Sequence, residues 1–137
     1  MVVPLGGMTL SELDNSLPNG FHDAYLTGLS VYFRTGQAEL DVQLLVNGIG
    51  EAIQYREAKL RLSGLTAFVW EPPDQISVFS RPIGISSFET IVENFPGLIR
   101  FPEEVRRLVH SFYVESPWNT FLHIAAASVE LVWLSDR

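Results

Sequence analysis

Ala38-Glu39-Leu40-Asp41-Val42-Gln43-Leu44-Leu45-Val46 is the stretch that decides the fold class. Leu40, Val42, Leu44 and Val46 fall on one face, and Glu39, Asp41 and Gln43 on the other. A period of two describes an extended strand whose successive side chains point to opposite sides. One apolar and one polar face describe an antiparallel sheet with a wet side.

On its N-terminal side the stretch meets Thr35-Gly36-Gln37, a short glycine-containing loop of the kind a hairpin requires. Before that loop, Tyr25 to Arg34 alternates again. Tyr25, Thr27, Leu29, Val31 and Phe33 are expected on one face, and Leu26, Gly28, Ser30, Tyr32 and Arg34 on the other. Asn47 to Arg56 reads as a loop, and a third strand is expected from Glu57. There Leu60 and Leu62 face inward, while Lys59, Arg61 and Ser63 face out. Antiparallel pairing with the preceding strand sets Glu39 and Asp41 against Lys59 and Arg61. Such a solvated ladder contributes roughly 0.2–1 kcal/mol per pair. The apolar phase changes at Gly64, which predicts a bulge. Glu71-Pro72-Pro73-Asp74 then ends the strand, because proline donates nothing to a ladder.

Nearer the N-terminus, Thr9 and Glu12 have capping-box spacing ahead of a single helical turn, which Pro18 stops. Asn19-Gly20-Phe21-His22-Asp23-Ala24 is a turn signal running into the first strand. It places His22 and Asp23 as a polar cluster at the mouth of that strand. Adjacent residues of an extended chain point apart, so no dyad is expected. The expected role is structural, with Asp23 accepting loop N–H groups and His22 anchoring the turn.

Beyond the prolines, strands are expected at 77–80 and 85–92, although Ser86 and Glu89 also fit a capping box, with Phe88, Ile91, Val92 and Phe95 at helical spacing. A helix is expected over 102–110, with Phe101, Val105, Leu108, Val109 and Phe112 as its apolar stripe and His110 as a C-terminal cation. Ser111 to Glu115 and the run from Asn119 form a second hairpin. If Glu115 pairs with Asn119, Phe112, Val114, Leu122 and Ile124 share the core face. Tyr113, Glu115, Asn119, Phe121 and His123 share the other, with Trp118 at the loop tip. Aromatics mixed with hydrogen-bonding groups suit an interface, so these six residues form the expected binding surface. Ala125-Ala126-Ala127-Ser128 marks a second phase change, which lets the last strand bend.

The expected fold is therefore mainly β: an antiparallel curved sheet or two-layer sandwich, with one short helix near 102–110. The 137 residues suit a single domain, residues 1–8 being a flexible lead with Met8 as an alternative start. A hydrophobic fraction of 47% argues for a packed core, not disorder. The net charge of −7 disfavours nucleic acid and anionic membrane and suits a cationic partner. Cysteine is absent, which removes disulfide and thiol chemistry. No apolar run approaches the ~18 residues of a spanning helix, and the N-terminus lacks the pattern of a secretory signal, so a cytoplasmic location is expected.

Three pieces, the Asn19–Ala24 turn, the Glu71–Asp74 break and Trp118-Asn119-Thr120-Phe121-Leu122-His123-Ile124-Ala125-Ala126, resemble a family of short uncharacterised bacterial proteins. The Phe-His-Asp element is also similar to that of small acidic immunity proteins of bacterial toxin systems. No phosphate loop, HExxH or closed serine elbow is present. The expectation is a non-catalytic interaction module without cofactor or metal, bound to a protein partner or to its own copies. An immunity-type inhibitor of a cationic toxin is its specific form. The alternatives are a small hydrolase or metal-dependent enzyme using His22, Asp23 and His123, and a purely structural subunit.

Overall fold

The computed structural model describes residues 7–47, 50, 52–75, 82–88, 100–115 and 118–134. Six antiparallel strands close into a barrel: β1 (Ala24–Tyr32), β2 (Gln37–Leu45), β3 (Tyr55–Trp70), β4 (Ile83–Phe88), β5 (Val109–Val114) and β6 (Thr120–Trp133). Their order around the barrel is β1-β2-β3-β6-β5-β4, and β4 pairs back onto β1. The expected antiparallel curved sheet is thus present and rolled shut, leaving no second layer of a sandwich. Closure removes the open edges that a curved sheet would leave to solvent.

The alternating face of β2 supplies Ala38, Leu40, Val42 and Leu44 to the interior, where they meet Ala58, Leu60 and Leu62 of β3. On the outside, Glu39 pairs with Arg61 and Asp41 with Lys59, so the two acidic and two basic residues meet as antiparallel pairing predicts. Lys59 lies 3.5 Å from Glu39 and 3.7 Å from Asp41, and Arg61 lies 3.4 Å from Glu39. These groups are part-exposed, so each pair contributes little.

Two phase changes let the long strands bend around the core. Gly64 has φ +65°, and a β-carbon there would come within 2.7 Å of Ala127 Cβ. Backbone conformation and close approach both demand glycine. The β3 register shifts just beyond, between Leu65 and Ala67. In β6 the buried set moves from Leu122, Ile124 and Ala126 to Val129, across the expected 125–128 segment.

A further shift in β1, between Leu26 and Gly28, overturns the expected single alternation. Ala24 and Leu26 are buried before it, and Leu29 and Val31 pack on the core after it. Tyr25 and Leu29 therefore lie on opposite faces, because the extra residue at Thr27 inverts the side-chain phase.

At the N-terminus, Thr9 caps α1 (Leu10–Ser16), and the Thr9–Glu12 capping box forms as expected. Leu10 and Leu13 of α1 join the core. Met8 is not loose lead: its carbonyl accepts Val129 N–H at 2.7 Å. Residues 1–6 lie outside the described residues, as do the strand expected at 77–80 and residues 89–92 of the one expected at 85–92.

The helix expected over 102–110 is cut short. α2 covers Glu103–Arg106, and Val109 and His110 open β5. The expected stripe splits accordingly. Phe101, Val105 and Leu108 pack outside the barrel on Val109 and Ala125, while Phe112 points into the core. Pairing of Val109 with Ala125 and His110 with Ile124 outcompetes another helical turn.

Candidate functional site

Apart from the Glu39–Arg61 ladder, two polar clusters stand out among the described residues, one sealed and one open. The sealed cluster begins with the β3–β6 ladder. Trp70 pairs with Leu122, so Glu71 falls opposite Phe121. Glu71 N–H donates to the Phe121 carbonyl at 3.1 Å, and the Glu71 carbonyl accepts from Trp118 Nε1 at 3.2 Å and Thr120 Oγ1 at 3.3 Å. Its carboxylate takes Phe121 N–H at 3.3 Å and lies 3.1 Å from His123 Nε2. Asp74 N–H completes the corner by donating to the Trp118 carbonyl at 2.7 Å. The proline break and the Trp118–His123 run, remote in sequence, thus form one hydrogen-bonded unit.

His123 Nδ1 lies 2.8 Å from Ser111 Oγ, as the pairing of Ser111 with His123 dictates. With Nε2–H donated to the Glu71 carboxylate, Nδ1 accepts the Ser111 hydroxyl proton. Carboxylate, imidazole and hydroxyl therefore follow the polarity of a serine nucleophile relay. Access is what the arrangement lacks. Ser111 is 2% exposed and His123 3%. A nucleophile needs room for a reacting atom about 3 Å away.

The C-terminal hairpin keeps the expected register, with Val114 against Thr120 and Tyr113 against Phe121. Its outer face is packed on itself, not laid open. Trp118 is buried against Trp70, their ring centroids 5.0 Å apart, so it is not an exposed tip. Phe121 stacks on His123 and meets Tyr113 edge-on, while Tyr113 Oη donates to Asn119 Oδ1 at 3.1 Å. Of the six expected binding residues, Glu115 and Asn119 are exposed, Tyr113 and Phe121 half-buried, and Trp118 and His123 buried.

The open cluster lies at the mouth of β1. Residues 19–23 form a turn, with Gly20 at φ +55° and Asp23 at φ +60°. That turn, unlike an extended chain, brings the two side chains together: His22 Nε2 is 3.4 Å from Asp23 Oδ2, at 72% and 53% side-chain exposure. Nor is Asp23 the residue that anchors the loop. Asp14 Oδ1 accepts Phe21 N–H at 2.7 Å, and Asn19 Nδ2 donates to the carbonyls of Leu45 and Asn47. Phe21, fully buried, is the apolar anchor.

Beside this turn, Tyr25 and Tyr55 pack ring against ring, 5.4 Å between centroids. Tyr55 Oη donates to the Asp23 carbonyl at 3.1 Å. Tyr25 pairs with Gly84 of β4, and the Glu115 carboxylate lies across that glycine, in space a β-carbon would occupy. Burial raises the Tyr55 pKa, as do Tyr25, Asp23 and Glu115 around it. The mouth thus sets the carboxylates of Asp23 and Glu115 beside two packed tyrosine rings.

His110 is not a helix-end cation. It lies inside β5 at 3% exposure, edge-on to Phe21 and Phe112, with Nδ1 3.0 Å from Ser11 Oγ of α1. Burial pushes its pKa down to about 4, against an opposing pull from Asp14. His22 and Asp23 do not join His123 in one group, and among the described residues no metal-binding set of three or more such side chains converges. No described helix is long and apolar enough to cross a membrane.

Ser111, Tyr25 and Tyr55 are cluster residues that the sequence does not single out, and Glu71 is read there only as part of a rigid turn on a surface loop. Pairing arithmetic finds Glu71: once β3 is laid against β6, residue 71 faces 121 and neighbours His123. Tyr55 was hidden because the whole of 47–56 read as loop. Comparison with protein-family models, with curated proteins and with solved structures yields no significant match.

Proposed function

We propose that the protein is a non-catalytic interaction module for a basic protein partner, engaged through the mouth of β1. The carrying observation is the packing of exposed Tyr25 on half-buried Tyr55 beside Asp23 and Glu115. Aromatic side chains with a polar tip bury much area on binding while losing few rotamers, and interface hot spots favour them. The net charge of −7 adds long-range attraction for a basic protein. Against the enzyme alternative built on His22, Asp23 and His123 stand the burial of His123 and its separation from the other two, and the relay-like Ser111 is sealed as well. The likeness to acidic immunity proteins favours inhibition of a cationic toxin as the form the binding takes.

The test is capture from a lysate of the source cells, followed by calorimetry with the purified captured protein. The expected partner is basic, and Tyr25→Ser weakens its binding by roughly tenfold, about 1.4 kcal/mol, with the far-ultraviolet dichroism unchanged. An acidic partner, or equal binding by the variant, contradicts the proposal.

A further inference from the structure

We infer that the β1 mouth is a receptor for one arginine side chain of the partner, held by the Tyr25–Tyr55 ring pair and the carboxylates of Asp23 and Glu115. The inference rests on the interaction-module reading and names the chemistry of its central contact. A planar guanidinium stacks on aromatic faces and offers a fork of N–H donors to carboxylates. Both complements are present here. The rings are 5.4 Å apart at an interplanar angle of 57°, so they present a tilted, non-parallel face pair. Tyr55 Oη donates to the Asp23 carbonyl, and the Glu115 carboxylate lies over Gly84, the residue that pairs with Tyr25, so a carboxylate-bearing residue stands on each side of the rings.

The fold keeps the spot open at two positions. Gly84 lacks the side chain that would displace the Glu115 carboxylate, and Glu115 N–H is tied to the Gly84 carbonyl at 2.9 Å. Asp23, at positive φ, turns its carbonyl onto Tyr55 while its carboxylate stays half-exposed. An anion would meet like charge at this site. A metal ion would need a convergent ligand set, which the described residues do not supply. A lysine ammonium satisfies the carboxylates but offers no plane to the rings.

The experiment is a ¹H–¹⁵N titration of the full chain with arginine amide, and separately with lysine amide. Arginine amide is expected to shift the amides of Asp23, Tyr25, Tyr55, Gly84 and Glu115 in a saturable way, and lysine amide to bind more weakly. Asp23→Asn/Glu115→Gln is expected to abolish the saturable shifts while its amide spectrum stays folded. Gly84→Ala, which moves the Glu115 carboxylate without removing charge, is expected to weaken them. Absence of saturable shifts, equal response to both amides, or shifts that persist in the double variant overturns the arginine receptor. A captured basic partner that still depends on Tyr25 but ignores the double variant leaves the interaction module standing and removes only this inference.

Discussion

The sealed Glu71–His123–Ser111 cluster and the open His22–Asp23–Tyr25–Tyr55–Glu115 cluster use similar side chains for opposite ends. In the first, each polar group has a partner, and Ser111 and His123 are buried while the Glu71 side chain keeps 22% exposure. Polar groups in that setting hold strands together, because losing one partner leaves another buried and unpaired. In the second, carboxylates and aromatic faces remain at the surface with hydrogen-bonding capacity to spare. Chemistry-bearing residue types do not by themselves mark a site; exposure of their unused atoms does. The comparison predicts that damage to the sealed side is read in stability and damage to the open side in binding.

The largest effect is expected from pH acting on His110, another polar group sealed in the core. Its folded pKa of about 4 lies below the unfolded value of 6.5, so the unfolded chain binds more protons between the two. Its contribution is therefore fully present above pH 6.5 and is lost as pH falls towards 4, by on the order of 3 kcal/mol. Urea denaturation at pH 7 and pH 4 measures it, and His110→Leu is expected to lose that component. A histidine contribution that grows on acidification would show the imidazole to be ion-paired, and one that does not change with pH would show it to be exposed.

Next in size is Glu71→Ala. It strips His123 Nε2 and Phe121 N–H of the carboxylate they face while leaving the Glu71 carbonyl in place, at a cost of about 2 kcal/mol. Chemical denaturation reads this directly. An unchanged midpoint would mean that the sealed cluster does not hold β3 to β6.

The matched pair Asp14→Ala and Asp23→Asn gives the smallest effects and the sharpest contrast. Asp14 accepts Phe21 N–H, so its loss is expected to lower stability by about 1 kcal/mol. Asp23→Asn is expected to stay within about 0.5 kcal/mol of wild type in melting, since its carboxylate is exposed. A reversal of this order would return the turn-anchoring role to Asp23, where the sequence placed it.

Local patterns in the chain were legible wherever a strand has one wet side. The Glu39–Arg61 and Asp41–Lys59 pairs and the Glu115–Asn119 register follow from two-residue alternation. Gly64 and the alanines at 125–127 announced the two bends. What stayed hidden depends on contacts distant in sequence. Barrel closure rests on three residue pairs between β1 and β4, which no local pattern encodes. Val109 and His110 fit a helical stripe and a strand equally, and pairing with β6 decides between them. The open cluster assembles from residues 22–25, 55, 84 and 115, and only the closed barrel brings those positions together.

The central claim, that the protein binds with its open cluster and does no chemistry with its sealed one, meets its most direct test at Ser111. The measurement is intact-mass spectrometry of the folded protein after incubation with a fluorophosphonate, which adds covalently to activated serine hydroxyls. The account predicts an unmodified mass, because Ser111 Oγ is buried and committed to His123. An adduct that maps to Ser111 and disappears in Glu71→Ala would contradict it and make the relay an active site.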